Sequence, residues 1–441
     1  MDQKKSYRTA FIFLTALFFL WGVVTVLVDS LIPRLREVFT LSYFEAGLVQ
    51  FAFFGAYFLL SIPAGFILDR IGYKRGIILG LGTMALGCIL FYPAASVREF
   101  WIFMVGYFTL AAGITILQVA ANPYVTLLGS EKTASSRLNL SQAFNSLGTA
   151  IAPALGALFI LSDKVLNSGQ IQALSQMERE AYYISEASAV QLPFLGIAAF
   201  IILIAVGFFF VKLPVVNSEE ETGSYSRAFR KKNLILGAFG IFFYVGAEVA
   251  LGSYLINYFL SFDAATLVRE TPFMATIAGW MLSDLSAASD MAAVGVFLTF
   301  YWSGAMVGRF IGSYLTSLIS PAKVLSAFAL CAVILLLITN FSEGLVAMWS
   351  VLAVGLFNSI MFPTIFSLAL DGLGSEKPQG SGILCSMIVG GAVIPPAFGF
   401  LTDSYGFSIA LFLVVLCYLY ILLYGFLNRN RAGHPETAEV V

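Results

Sequence analysis

Apolar residues run along this chain in blocks of about 20, the length a helix needs to cross the hydrocarbon of a bilayer. Twelve blocks are legible, at roughly 9–31, 43–67, 75–94, 99–127, 137–162, 190–212, 233–259, 291–314, 321–340, 344–370, 379–402 and 405–428. Gly and Pro inside them do not break the pattern, because membrane helices tolerate both. The polar breaks are short except at about 163–189, 214–232 and 260–290. The first and last of these contain apolar residues that suit short surface helices. The middle one, with Glu219, Glu220 and Glu221 followed by basic residues, reads as a linker between six blocks and six.

A few polar residues stand out against this background. Gln118 and Asn122 lie four apart in the fourth block and so share a helical face. Amides in hydrocarbon are costly unless something polar meets them. Either they line a water-filled cavity where a polar solute binds, or they hydrogen-bond neighbouring helices. Pro123 removes a backbone donor beside Asn122 and loosens the helix there. Asn139, Gln142 and Asn145, with Ser146, recur at steps of three in the fifth block, and Asn358 and Ser359 precede Pro363 in the tenth. Amides both donate and accept, as sugar hydroxyls require.

Glu248, between Gly246 and Gly252, is the most deeply placed carboxylate. Such a group can take up and release a proton, or with oxygen neighbours such as Ser253 and Asn257 hold Na+. Asp29 sits near the outer end of the first block, where it is either a coupling group or simply wet. Trp21, Tyr244, Tyr301, Trp302, Phe357 and Phe362 can stack on a pyranose, but in a chain that is 15% aromatic none is singled out.

Composition supports the membrane reading. The 441 residues are 59% hydrophobic and 11% charged, against about 25% charged in soluble domains. A net charge of −1 argues against a nucleic-acid partner. Cys88, Cys331, Cys385 and Cys417 fall inside apolar blocks without metal spacing, and the one histidine, His434, is in the polar tail. No nucleophile–base set suggests an enzyme, and no phosphate-binding loop suggests ATP hydrolysis. The first apolar block is too long for a cleavable signal. With the amino terminus inside, 18 of the 24 Lys and Arg fall in cytoplasmic segments, Arg309 among them. That bias puts both termini in the cytoplasm.

Short patterns repeat. Gly148-x-x-Ile151-x-Pro153-Ala154-x-Gly156 returns 243 positions later as Gly391-x-x-Ile394-x-Pro396-Ala397-x-Gly399. Phe18-Phe19-x-x-Gly22 is matched by Phe242-Phe243-x-x-Gly246, and Gly65-x-x-x-Asp69-Arg70 by Gly304-x-x-x-Gly308-Arg309. Two related six-helix halves follow, an arrangement that places a site near mid-membrane.

The loop Gly65, Asp69, Arg70, Gly72, Lys74 and Arg75 reads G-x-x-x-D-R-x-G-x-K-R and resembles the signature of the major facilitator superfamily. Gly65 permits close helix approach, Asp69 and Arg70 can bond across to the other half, and Lys74 and Arg75 suit the anionic inner leaflet. The segments Leu117–Gly129, Arg137–Gly148, Tyr244–Tyr258, Phe357–Leu370 and Gly380–Pro396 are similar to the fucose–galactose–glucose:H+ symporter family, nearer its glucose/galactose branch. Gln118 stands where the fucose permease pattern has a glutamate, Glu248 where it has an amide, and Val26 where it has an asparagine.

The resemblance implies an all-α membrane protein of twelve transmembrane helices in two pseudo-symmetric six-helix halves. The expected divisions are 1–212, a linker 213–232, 233–428 and a tail 429–441. It implies a monomeric transporter in a bacterial-type inner membrane. The expected cargo is a hexose, held by Gln118, Asn122, Gln142, Asn145 and Asn358. Asp29 and Glu248 would couple uptake to H+ or Na+, without a cofactor. A different polar sugar or a non-transporting sugar sensor remain the alternatives, and the amide-rich fourth and fifth blocks speak against apolar drug efflux.

Overall fold

The computed structural model describes residues 2–38, 43–97, 99–159, 174–214, 223–282 and 284–430, and no strand occurs among them. Glu219 to Glu221, Lys164, Arg98 and His434 lie outside the described residues, as do the side chains of Asp29, Arg34 and Arg36. Asp29 itself falls within the first helix.

Twelve long helical stretches follow one another: α1 Asp2–Val38, α2 Tyr43–Ile71, α3 Tyr73–Val97, α4 Phe100–Leu127, α5 Ala134–Phe159, α6 Gln176–Phe210, α7 Lys232–Ser261, α8 Leu298–Leu318, α9 Pro321–Phe341, α10 Gly344–Leu370, α11 Gly374–Tyr405 and α12 Phe407–Asn428. Eleven are long and apolar enough to cross a membrane. The exception is α5, whose amino-terminal half carries Ser135, Ser136, Arg137, Asn139 and Gln142. Its 26 residues still span about 39 Å at 1.5 Å per residue, more than the hydrocarbon needs.

Local sequence sets the joints. Gly72 alone separates α2 from α3 at φ 78°, a left-handed conformation that glycine adopts without strain. Ser175 and Glu178 form a capping box at the start of α6. The segment after α7 folds into the short helices Ala264–Glu270 and Pro272–Gly279, as its apolar content suggests. In α10 the helix opens at Ser359–Ile360, between Gly344–Asn358 and Met361–Leu370.

The described residues group into two compact units. One comprises 1–128, 144–225 and 374–386. In it α3 packs most extensively on α4, α2 packs on α4, and the first part of α11 lies against α2 and α4. Small residues allow close approach: a Cβ on Gly80 would lie 2.8 Å from the Leu117 nitrogen, and one on Gly87 2.5 Å from that of Leu110. The other unit comprises 129–143, 226–373 and 387–441. It is built on α8 against α10, α9 against α12 and α11 against α7.

Each unit thus includes a short piece of the opposite sequence half. Adding 243 to 129–143 gives 372–386, so the exchange follows the spacing of the repeat. The helices that carry the repeated patterns also meet in space. In the first unit Gly22 lies on Asn145 and Gly148 on Phe19; in the second Gly246 lies on Ile394 and Gly390 on Phe242. The third pair does not match in this way. Gly65 faces Pro378 of α11, whereas Gly304 faces Leu356 of α10.

Candidate functional site

Within the second unit the deepest carboxylate has a cation beside it. Tyr244 Oη donates to Glu248 Oε1 at 2.7 Å from one turn earlier on α7. An Arg309 guanidinium nitrogen lies 3.9 Å from the same oxygen. The side chains of Arg309 and Glu248 are 17% and 16% exposed. Arg309 sits nine residues before the end of α8, so it is an interior charge and drops out of the cytoplasmic count. Glu248 is met by Tyr244 and Arg309, while Ser253 and Asn257 lie exposed.

Arg309 has a further partner because of a proline. Pro363 has no N–H, so the Ser359 carbonyl, four residues earlier, has no donor from its own helix. Arg309 Nε donates to it at 3.1 Å. Next to this opening is Asn358, fully buried, whose Nδ2 donates to Tyr301 Oη at 2.6 Å and Tyr418 Oη at 3.3 Å. Its Oδ1 is enclosed with no partner among the described residues. Carboxylate, guanidinium, opened backbone and buried amide therefore form one connected cluster on α7, α8 and α10.

The amino-terminal part of α5 belongs to this unit. Asn139 Nδ2 donates to the Ser135 carbonyl at 2.9 Å and to Thr364 Oγ1 of α10 at 3.1 Å. Ser136 and Ser313 of α8 each donate to the other's carbonyl, at 2.8 and 2.9 Å, and Ser135 bonds Ser367. Gln142 is 8% exposed.

The first unit holds Gln118, Asn122 and Asn145. Asn122 is fully buried, and Gln118 is half-buried with Oε1 enclosed and unpartnered among the described residues. Asn145 Nδ2 donates to the Phe18 carbonyl of α1 at 2.9 Å. Pro123 acts as Pro363 does. It leaves the Val119 carbonyl without a helical donor, and Ser381 Oγ of α11 donates to it at 2.8 Å. A tight crevice in this unit, with no room for a water molecule, is lined by Val24, Thr25, Val28, Phe53, Met84, Tyr107, Leu110 and Ile114, and by none of the expected amides.

The signature loop uses its residues within the first unit. Asp69 Oδ1 accepts from the Gly223 N–H of the linker at 3.4 Å. Arg70 lies over the Phe66 ring at 4.2 Å. Lys74 Nζ donates to the Phe209 carbonyl in the last turn of α6 at 2.8 Å, a helix end that favours a cation. Arg75 is exposed. A Cβ on Gly65 would lie 2.7 Å from the Pro378 carbonyl. The linker docks at this crossing, with Tyr225 Oη donating to the Ile62 carbonyl. Burial, reinforced by Asp69, pushes the Tyr225 phenol up, so the donor stays protonated at neutral pH.

Of the expected residues, Glu248 and Asn358 are joined through Arg309 and Ser359, Gln142 shares their unit, and Gln118, Asn122 and Asn145 belong to the other. Sequence reasoning missed Arg309 as an interior group and Tyr418 altogether. The one trace of Arg309 in the sequence was its place inside an apolar block instead of in a polar break.

Comparison with known proteins agrees with this architecture. Residues 9–384 match the Major Facilitator Superfamily. The chain is 49% identical to a protein named glucose/galactose transporter from Brucella abortus, covering 97% of this chain and 96% of that one. It is 38% identical to the L-fucose-proton symporter of Escherichia coli, covering 98% and 95%. The crystal structure of the major facilitator transporter FucP in the outward conformation superposes with a TM-score of 0.85 at 36% identity, over 97% of this chain and all of that one. The chain belongs to the major facilitator superfamily, in the group that contains the glucose/galactose and fucose–proton transporters.

Proposed function

We propose that this protein takes up a hexose of the glucose/galactose type by proton symport, through alternating access. The observation that carries the coupling is Glu248, held between Tyr244 and Arg309 in otherwise apolar spans. A proton can exchange with Arg309 as the partner of that carboxylate without new ligands. Na+ would need several oxygen ligands beside a guanidinium that repels it. This favours H+ over Na+. Neutralising Glu248 frees Arg309 from one partner and leaves it on the Ser359 carbonyl, at the point where α10 opens. The equilibrium between outward and inward states then shifts with protonation.

The sugar contacts proposed are Gln118, Asn122, Gln142, Asn145 and Asn358, with Asp29 as a second coupling acid. The enclosed Gln118 and Asn358 carbonyl oxygens are acceptors that a sugar hydroxyl would satisfy. The signature residues Gly65, Asp69, Arg70, Gly72, Lys74 and Arg75 gate the cycle. The halves 1–212 and 233–428 move as repeats. Both termini face the cytoplasm of a bacterial inner membrane, and the protein works as a monomer without a cofactor.

Counterflow in proteoliposomes made with the purified protein tests transport itself. Vesicles preloaded with unlabelled galactose are expected to accumulate labelled galactose and glucose transiently. No exchange across a panel of hexoses and amino sugars would remove the sugar assignment and favour a sensor.

A further inference from the structure

The α7–α8 seam that holds Glu248 and Arg309 extends one turn along α7 to Gly252. There the indole of Trp302 lies on the α7 backbone: a Cβ on Gly252 would be 3.0 Å from Trp302 Cζ2. Gly252 is four residues after Glu248, and Trp302 is seven before Arg309, so both pairs follow the same helix faces. Tyr301 stands edge-on to the indole, with centroids 5.1 Å apart at 89°, and its own hydroxyl is held by Asn358. The ring is therefore fixed on two sides.

Trp302 is nevertheless 47% exposed. Lipid does not account for that exposure. The exposed apolar residues Val307, Phe310, Ile311, Tyr314 and Leu318 of α8 share one arc of the helix. At 3.6 residues per turn Trp302 points roughly 140° away from their centre, in line with Arg309 and Ser313. A large flat apolar surface is thus left open beside a carboxylate and a guanidinium. A pyranose has the matching chemistry: one face of C–H bonds and an edge of hydroxyls.

We propose that Trp302 is a sugar-binding residue, with the C–H face of the hexose stacked on its indole and hydroxyls turned toward Arg309 and Glu248. This rests on the hexose transport proposed above. It also gives Gly252 a role, since any side chain there displaces the ring.

Counterflow kinetics with galactose, together with tryptophan emission during galactose titration, test it on the full-length protein in proteoliposomes. Trp302→Ala is expected to raise the half-saturating galactose concentration about tenfold or more, with the maximal exchange rate nearly kept. Trp302→Phe and Gly252→Ala are expected to raise it less. Galactose is expected to change the emission of the wild type and of the control Trp101→Phe, but not of Trp302→Phe. If Trp302→Ala does not fold, Gly252→Ala and the Trp302→Phe emission decide the matter. Unchanged half-saturation in the folded variants, or an unchanged galactose response in Trp302→Phe, overturns the inference while wild-type exchange leaves the hexose reading intact. A wild type that exchanges no hexose removes both.

Discussion

Asn358 uses its amide protons on two phenols, Tyr301 and Tyr418, in a fully buried setting. Truncation would leave two hydroxyls without that partner, which costs about 1–3 kcal/mol per buried polar group. Asn358→Ala is therefore expected to lower the thermal midpoint of the purified protein clearly. A variant as stable as wild type with galactose binding lost would place Asn358 on the sugar alone. At this scale the sequence was informative about which residues are scarce and poor about what they meet. Glu248 and Asn358 could be picked out because so few polar groups occur at depth. Arg309 was misread because a basic residue near a block end resembles a cytoplasmic anchor. Only the fold reveals that α8 runs on to Leu318 and carries Arg309 inside.

At the scale of the element, a proline leaves one carbonyl of α4 and one of α10 without its helical donor, and a donor from another helix fills each gap. Ser381 serves the Val119 carbonyl, and Arg309 serves that of Ser359. The missing donor at Pro123 was legible from sequence, though α4 runs unbroken through it; the partner of the freed carbonyl, more than 250 residues away, was not. A double-mutant cycle is the appropriate check. Ser381→Ala alone leaves the Val119 carbonyl unpaired and is expected to cost about 1–2 kcal/mol. In a Pro123→Ala background residue 123 can donate to that carbonyl, so the same change is expected to cost little. Equal costs in both backgrounds would show that the bond contributes nothing.

The start of α6 offers a pH-dependent element. The Ser175 hydroxyl and N–H hold the exposed Glu178 carboxyl below its ordinary value of 4.5. A lowered carboxyl contributes stability that is present above that value and lost as pH falls through the lowered one. The protection factors of the first turns of α6, taken against the intrinsic exchange rate at each pH, should therefore fall on acidification below about pH 4.5 in wild type. In Glu178→Gln the same protection should be low and flat with pH. A flat profile in both proteins would contradict the capping box.

For the whole molecule, the repeat written in the sequence is the repeat of the packing. The two F-F-x-x-G helices meet the two G-x-x-I-x-P-A-x-G helices, α1 on α5 and α7 on α11, though not residue for residue: Gly22 meets Asn145, whereas Gly246 meets Ile394. Twelve spans and two related halves were legible because lipid imposes a length and a composition on each helix. The exchange of 129–143 and 374–386 between units was not, since apolar periodicity says nothing about which neighbour a helix end will choose. Nor was the pairing of Asp69 with the linker N–H of Gly223, a bond to backbone that side-chain patterns do not encode.

The central claim is that Glu248 carries the proton that moves with the sugar. Proton movement driven by a galactose gradient, in Na+-free proteoliposomes with a pH-sensitive dye, tests it most directly. Wild type is expected to alkalinise the external medium when galactose is added outside, while Glu248→Gln is expected to exchange labelled galactose yet move no protons. Full sugar-driven alkalinisation by Glu248→Gln, or none by a wild type that exchanges galactose well, would contradict the account.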